Sequence, residues 1–427
     1  MTIANICRES KGVAHTGLFF LLVCGLLLLG NVLGPQMALA GQEEMVEGIM
    51  HVKNGSEPAD GVETWQVEEL WTVGGEDDED VLFGIITQVQ IDDENNIYLL
   101  DNQLSEVQVF SPDGEYLRTI GRAGEGPGEV TNPAAMTLLP DGSVGLVRAM
   151  PGKLVMLDKE GQPIEDFVPN DYDPKEGGLF LAIRCYPAQG NLIFGGMELR
   201  TDVNAGTQER NYHIRSYGMD HERIAEFYVK NVHWNFSNFT LREIDTDFPW
   251  QRLDVDDEGR VVMAPERYGY DINIYNSDGT LDRIIERKYE SYERTQEIKD
   301  LVDRAFQAQM PQLPPGSNYE AETHEPDVAE LRIAEDGSIW TQNSRQTWAG
   351  QDGEFMYDVF SSDGHFTKQV RIECAGSARE DRLFFAGDGR IYKVSGFLAA
   401  AISAQGLGGE DDDSEPEPMA ITCYKVK

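Results

Sequence analysis

One short pattern recurs six times along the sequence, and it limits the fold more than any other feature. Each copy has an apolar approach, a polar turn that contains Gly or Asn, and a β-rich run. The copies are "QIDDENNIYLLD" (90–101), "TLLPDGSVGLV" (137–147), "CYPAQGNLIFG" (185–195), "DVDDEGRVVMA" (254–264), "RIAEDGSIWTQ" (332–342) and "FFAGDGRIYKV" (384–394). Such a turn between β-rich runs is typical of a β-hairpin, because Gly and Asn adopt the positive φ angles that tight hairpins need.

A second hairpin follows most copies of the first. These second hairpins are "VQVFSPDGEYLRTI" (107–120), "LVMLDKEGQPIEDF" (154–167), "INIYNSDGTLDRII" (272–285) and "YDVFSSDGHFTKQV" (357–370). Each unit of about fifty residues therefore contains four short antiparallel strands, and a four-stranded sheet repeated around an axis is a propeller blade. The sequence predicts an all-β fold, a six-bladed β-propeller of four-stranded antiparallel blades.

The last unit supplies only three strand-like segments, so its fourth strand must come from elsewhere. An open ring would leave exposed strand edges. The segment "WQVEELWTV" (65–73) lies just before the first unit. We expect this N-terminal strand to complete blade six and to close the ring.

Two stretches interrupt the repeat. Residues 198–247 are rich in aromatic side chains and fall between blades three and four. Residues 292–310 place apolar side chains, among them Ile298 and Phe306, on one helical face, which predicts a helical insertion between blades four and five. The acidic run "GGEDDDSEPEP" (408–418) predicts a flexible loop inside the last blade.

The first forty residues have the features of a signal peptide. A positively charged start precedes the apolar run 18–33, and a small-x-small cleavage site follows, so we place cleavage between Ala40 and Gly41. The apolar run is long, which leaves an uncleaved anchor open. We expect a secreted or periplasmic protein. The predicted divisions of the chain are a signal peptide (1–40), a flexible N-terminal segment (41–61) and the propeller (62–427).

The charge of the chain narrows the classes of partner. The formal net charge is −40, and so acidic a surface repels nucleic acids and anionic membranes.

Three cysteines lie beyond the leader, namely Cys185, Cys374 and Cys423. So few do not form a disulfide framework, and we favour buried thiols over a Cys374–Cys423 bridge. We expect a monomer.

The loop "GRAGEGPGE" (121–129) invites a comparison with phosphate-binding loops. No helix is predicted after it, it contains no lysine, and Glu125 and Glu129 would repel a phosphate. We interpret it as a crossover between blades one and two, in which Gly allows tight reversals.

That crossover also carries a family resemblance. "IGRAGEGPGEVTNPAAM", after "NNIYLLDNQLSEVQVFSPDG", resembles the crossovers of NHL-repeat and TolB-like six-bladed propellers. The whole mature chain is most similar to secreted bacterial six-bladed β-propellers. The resemblance implies a propeller and export, but no particular activity.

The candidate site residues come from the inner strands of the predicted blades. Counting back from the first apolar residue after each turn gives two polar registers with an apolar register between them. Because side chains alternate along a strand, we predict that the polar registers lie near the central channel and that the apolar register faces neighbouring blades. The candidate ligand-binding residues are Gln88, Arg252, Glu330 and Arg382, with Arg184 and Arg332 as further candidates outside that set. The arginines could hold an anionic group bidentately, or they could pair with local carboxylates.

Two functions are compatible with these residues. The favoured one is a binding module for a peptide, glycan or partner protein, which would act through one face of the ring, without a cofactor. The alternative is a metal-dependent hydrolase or lyase, as in some similar propellers with calcium or zinc in the channel. Its ligands would be Glu330, Asp254 and Asp381. The histidines show no metal-ligand spacing, which favours binding over catalysis.

Overall fold

The computed structural model describes residues 41–76, 78, 81–170, 178–404 and 418–427. The signal peptide predicted at 1–40 and nearly all of the acidic loop predicted at 408–418 lie outside these residues. Among the described residues, no helix is both long enough and apolar enough to cross a membrane.

The described chain begins with three strands that run along the outside of later blades. They are β1 (Gln42–Val46), β2 (Ile49–Asn54) and β3 (Val62–Gly74). Strand β1 forms an antiparallel hairpin with β2. The flexible segment predicted at 41–61 is therefore wrong for residues 42–54.

Blades one and two follow in sequence. Blade one consists of β4 (Ile86–Ile91), β5 (Ile97–Asp101), β6 (Glu106–Phe110) and β7 (Tyr116–Ile120). Blade two consists of β8 (Ala135–Leu138), β9 (Val144–Arg148) and β10 (Lys153–Leu157). In place of a regular fourth strand, Pro163 and Phe167 make single antiparallel bridges to β10.

Blade three is longer than the repeat predicts. It consists of β11 (Gly178–Ala188), β12 (Asn191–Asp202), β13 (Thr207–Gly218) and β14 (Arg223–Asn235). Most of the insertion predicted at 198–247 is therefore wrong, because residues up to 235 are elongated strands of the blade itself. A short linker follows, with β15 (Thr240–Arg242) and α1 (Glu243–Thr246).

Blade four and the helical insertion come next. Blade four consists of β16 (Leu253–Val255), β17 (Val261–Met263), β18 (Asp271–Tyr275) and β19 (Leu281–Arg287). The predicted helix is α2 (Gln296–Gln309), which begins after the Thr295 cap and buries Ile298 and Phe306. Strand β20 (Asn318–Glu320) then pairs in parallel with β15.

Blades five and six complete the chain. Blade five consists of β21 (Val328–Ile333), β22 (Ile339–Asn343), β23 (Glu354–Phe360) and β24 (Phe366–Glu373), with α3 (Ser344–Ala349) between β22 and β23. Blade six has β25 (Arg382–Phe385), β26 (Arg390–Ser395) and β27 (Ala420–Val426), with α4 (Phe397–Ala404) after β26.

The N-terminal strands bind three blades together. Strand β2 lies parallel to β19, the outer strand of blade four. The first part of β3 lies parallel to β24 of blade five, and the second part pairs antiparallel with β27. The strand expected to complete blade six therefore does so, and it also joins blades five and six into one sheet.

The apolar core is divided among the blade interfaces. Each pair of neighbouring blades encloses its own cluster of buried side chains, including blades six and one, where Val394 and Ile421 pack with Ile97 and Leu99. Face-to-face packing of the sheets thus runs around the complete ring.

The two ends of the blades carry different connections, because antiparallel strands reverse at alternate ends. One end, here called the turn face, carries the short turns between the first and second and between the third and fourth strands. The other end, the loop face, carries the longer connections that contain α1 to α4.

Candidate functional site

The predicted polar registers point to the next blade rather than to a channel. The Gln88 side chain accepts a hydrogen bond from the backbone N–H of Met136 (2.8 Å), and Gln90 accepts one from Leu138 (2.8 Å). The apolar residue between them, Val89, packs on blade six. The prediction that the polar side chains lie near the channel is therefore wrong at these positions, because blades pack face to face and both faces of an inner strand meet a neighbour.

Two predicted arginines also have structural partners. Arg184 donates to the carbonyl oxygens of Ala134 (3.2 Å) and Ile183 (3.1 Å), so it joins blade three to the edge of blade two. Arg252 is buried and forms an ion pair with Asp247 at 2.8 Å.

Arg252 is one end of a longer buried network on the loop face. Asp247 also pairs with Arg267, which contacts Glu243, and Glu243 in turn holds Arg294. This chain of charges ties the linker after blade three to the residues just before α2. Its groups satisfy one another, which favours a structural role.

The proposed metal ligands do not converge. Two N–H groups, from Ser377 and Gly396, bind the Asp381 carboxylate. Asp254 accepts a bond from Ile333 of the next blade at 2.8 Å, and burial raises its pKa to about 6. Within the described residues, no group of three His, Cys, Asp or Glu side chains is placed to hold a metal ion.

Arg382 is held by backbone oxygens next to the inner strand of blade six. It donates to the carbonyls of Ala378 (3.1 Å) and Asp381 (2.9 Å), and its guanidinium lies 5.0 Å from the Phe397 ring centroid. Burial raises the pKa of Glu330 above its usual value, although Arg382 and Arg332 oppose the shift.

Arg332 differs from the other predicted residues because it borders a cavity. The cavity, here called the crevice, lies between blades five and six, opens at the turn face and has a volume of about 780 Å³. Its aromatic lining comes from Trp65 of β3, Trp340 of β22 and Phe385 of β25. The lining also contains polar and charged residues, among them Ser338, Ser361 and Lys368. A cavity of this size that combines aromatic and polar side chains is compatible with a small-molecule or peptide site.

Three aromatic rings surround the Arg332 guanidinium. Its central carbon lies 3.3 Å from the Phe385 ring centroid, 4.5 Å from that of Trp340 and 5.6 Å from that of Tyr357. Burial lowers the pKa of Arg332 to about 10. In the described part of the chain, no carboxylate lies within ion-pair distance of Arg332, and its buried Nε has no hydrogen-bond partner.

The other two cations of the crevice are already paired. Lys368 contacts Glu63 at 2.6 Å, and Arg390 contacts Asp388 at 3.1 Å. Among the described cations of the crevice, Arg332 is therefore the one that forms no ion pair, although Glu330, Asp254 and Asp336 favour its charge from a longer distance.

The GRAGEGPGE loop is closed by its own glutamate. Glu129 accepts a hydrogen bond from the Gly126 N–H (2.9 Å) and pairs with Arg122 (2.7 Å). A Cβ on Gly124 would lie 2.1 Å from a Glu129 oxygen. The carboxylate thus fills the position that a bound phosphate would need, in agreement with the interpretation of this loop as a crossover.

Comparison with known families and structures agrees with this architecture. A family described as a 6-bladed beta-propeller matches residues 76–304, more than half of the chain. The chain belongs to the 6-bladed beta-propeller family. A comparison with curated proteins gives no match.

Several solved structures of propeller proteins are similar at low identity. An exported-protein candidate from Bacteroides fragilis is 12% identical, with a TM-score of 0.46 over 86% of this chain and 99% of that one. A member of the DUF4221 family from Bacteroides vulgatus is 12% identical, with a TM-score of 0.48 over 84% and 98%. A gluconolactonase from Xanthomonas campestris is 11% identical, with a TM-score of 0.41 over 81% and 88%. Likeness at this level carries no information about the activity of the present propeller.

Sequence reasoning found Arg332 in this propeller but missed the rest of the crevice. The missed lining residues are Trp65, Trp340 and Phe385, which come from three separate segments. One signal was available in the repeat. The register that holds an acceptor at Gln90 and at Asp254 holds a cation at Arg332, which cannot accept a hydrogen bond from the next strand.

The aromatic residues of the linker after blade three serve packing. Trp234 and Phe239 are buried, and Phe236 and Trp250 pack against the same cluster. They give no support to a ligand surface at that place.

Proposed function

We propose that this 6-bladed β-propeller is an exported recognition module that binds a peptide, glycan or partner protein at its turn face. The ligand site is the crevice between blades five and six. The observation that carries the proposal is the Arg332 guanidinium, which has no ion-pair partner among the described residues, in a cavity of about 780 Å³ with three aromatic residues in its lining. Buried charge without a protein partner costs free energy, so its presence favours a partner from outside the chain.

The composition of the crevice supports binding rather than metal-dependent hydrolysis. Aromatic walls supply apolar contact area, and a few polar groups fix the orientation of a ligand. The acidic residues of the crevice, Glu335 and Asp336, lie on one exposed turn. The three carboxylates first considered as metal ligands lie outside the lining of this cavity.

Export is the second part of the proposal. It rests on the charged start, apolar run and small-residue cleavage site of the first forty residues. Mass spectrometry of the N-terminus of the protein recovered outside the cytoplasm tests it, since cleavage after Ala40 would leave Gly41 as the first residue.

A glycine at the mouth of the crevice offers a direct test of the site. Gly387 lacks a positive φ, and the nearest atoms to an added side chain belong to the exposed Glu335, which can move. We expect Gly387→Trp to fill the crevice without unfolding the blade. The measurement is saturation-transfer NMR of the purified protein with a mixture of tripeptides and, separately, a mixture of disaccharides.

The matched control is Gly55→Trp, because Gly55 also lacks a positive φ, an added Cβ would make only ordinary contacts with the Glu57 backbone at 3.9 and 4.0 Å, and Gly55 is not among the crevice residues. We predict that at least one mixture gives saturation transfer, that Gly387→Trp removes it and that Gly55→Trp retains it. If saturation transfer persists in Gly387→Trp, the ligand site lies elsewhere on the protein. If neither mixture gives saturation transfer with the unmodified protein, a recognition module of this kind is contradicted.

A further inference from the structure

We propose that the crevice recognises a single carboxylate attached to an aromatic or other apolar group, as at the C-terminal residue of a peptide. In this proposal the Arg332 guanidinium binds the carboxylate. This inference rests on the proposed function, because it names the ligand chemistry of the same site.

The number of free cations sets the charge of the ligand. Lys368 and Arg390 are paired with Glu63 and Asp388. Among the described crevice residues, the Arg332 guanidinium is the cation without an ion pair, while Glu330, Asp254 and Asp336 act on it from a longer distance. One free cation matches one negative charge.

The surroundings of Arg332 set the shape of that negative group. The Phe385 ring lies over the guanidinium, 3.3 Å from its central carbon, and the Trp340 ring lies to one side at 4.5 Å. The two ring centroids are 5.7 Å apart, so the rings do not cover opposite faces. Stacking on Phe385 occupies one face of the guanidinium, and the buried Nε–H donor has no hydrogen-bond partner among the described residues. Two donors in a fork fit the two oxygens of a planar carboxylate.

Nearby acidic residues disfavour a more highly charged ligand. Glu335 and Asp336 line the same crevice on an exposed turn, and Glu330 precedes Arg332 by two positions on the same side of β21. The chain as a whole carries a formal charge of −40. A phosphate or sulfate with two charges would meet stronger repulsion here than a carboxylate with one.

The aromatic walls accommodate the apolar part of the ligand. Trp65, Trp340 and Phe385 lie on three different strands that meet at the crevice. Rings paired at tilted or edge-to-face angles bind apolar and aromatic groups well. Trp65 and Trp340 already make such a pair, with ring centroids 5.3 Å apart.

The test uses two probes that differ only in the charged group. N-acetyl-phenylalanine carries the carboxylate, and N-acetyl-phenylalaninamide is its neutral isostere. We expect the acid to bind the purified protein at least about tenfold more tightly than the amide, since a charge-assisted hydrogen-bonded pair contributes about this much. Binding is measured by calorimetry and by the change in tryptophan fluorescence, because Trp65 and Trp340 lie in the site.

The variant Arg332→Met should remove the preference for the acid while leaving the rings in place. Arg122→Met is the control for the loss of one positive charge, since Arg122 is exposed and lies in the crossover after blade one. It should retain the preference. A second probe pair, the tripeptide Gly-Gly-Phe and its C-terminal amide, separates a peptide terminus from a free small acid as the source of the carboxylate.

The outcomes separate this inference from the proposed function. Equal binding of acid and amide, with both abolished by Gly387→Trp, would keep the site but overturn its assignment to a carboxylate. A preference for the acid that survives in Arg332→Met would overturn the assignment as well. If neither the acids nor the amides bind at millimolar concentration, the carboxylate inference fails, and the tripeptide and disaccharide mixtures decide separately whether the site exists.

Discussion

Two arginines in aromatic surroundings differ in their polar partners. Arg287 lies 4.9 Å from the Tyr270 ring centroid and 4.4 Å from that of Phe366, and it also contacts the buried carboxylate of Asp358. Asp358 accepts further bonds, so this carboxylate is held by several donors, although the Arg287 Nε, like that of Arg332, has no partner among the described residues. Arg332 has similar rings but no such carboxylate partner in the described chain.

A buried histidine makes stability depend on pH at the residue scale. His213 is fully buried, stacks on Phe180, and its Nε2 has no partner among the described residues. Burial and the neighbouring Arg215 lower the pKa of His213 to about 3. In the unfolded chain the ring titrates near its usual value of about 6.5.

The sign of the pH effect follows from those two values. Between about pH 6.5 and 3 the unfolded state binds a proton at His213 that the folded state does not, so stability falls as the pH falls. The unfolding free energy falls as the pH falls through this window. We predict that His213→Phe makes this fall less steep by about 1.4 kcal/mol per pH unit. Chemical denaturation from pH 7 to pH 4 measures it, with the exposed His233 replaced by Gln as control. An unchanged slope in His213→Phe would show that this ring is not buried in its neutral form.

At the scale of elements, β3 is the strand on which blades five and six depend. Thr72 of β3 and Thr422 of β27 are bonded through their hydroxyl groups at 3.0 Å. Val73 points into the cluster between blades six and one, whereas Leu70 is exposed. Strand β3 thus pairs with strands of blades five and six and packs against blade one, and its other face is in contact with solvent.

This arrangement predicts that the same substitution lowers the free energy of unfolding by very different amounts at two positions on one strand. Val73→Asp places an unpaired charge in the blade interface and should lower the free energy of unfolding by about 3 kcal/mol or more. Leu70→Asp should change it by less than about 0.5 kcal/mol. Urea unfolding of both variants makes the comparison, and equal losses would mean that β3 does not close the ring as described.

The sequence predicted the elements better than the site, for physical reasons that particular residues make clear. The hairpin turns follow from local chemistry, as at Gly337, whose φ of 78° needs a residue without Cβ strain. Blade three has a turn signal at Gly206, but its strands of 11 to 13 residues break the spacing of the other blades, so the segment looked like an insertion. The direction of Gln88 depends on how whole sheets pack, which no local pattern contains. The crevice needs Trp65 beside Trp340, a contact that joins distant parts of the chain.

At the scale of the whole molecule, six separate interfaces share the apolar core. Such division allows one interface to open into a cavity without unfolding the others. The interface between blades five and six contains the crevice, yet the outer part of the same interface is bound by β3. The ring can therefore hold a ligand site that is not optimal for its own stability.

The most direct test of a ligand site at Arg332 compares the stability of Arg332→Met with that of Arg287→Met in the ligand-free protein. Arg287→Met leaves Asp358 buried without its cation and should cost about 3 kcal/mol or more of unfolding free energy. Arg332→Met removes a cation that has no ion pair and keeps a side chain that packs on aromatic rings, so stability should stay within about 1 kcal/mol or rise. If Arg332→Met destabilised the protein as much as Arg287→Met, Arg332 would be a structural residue, and the central claim of a ligand site in the crevice would be contradicted.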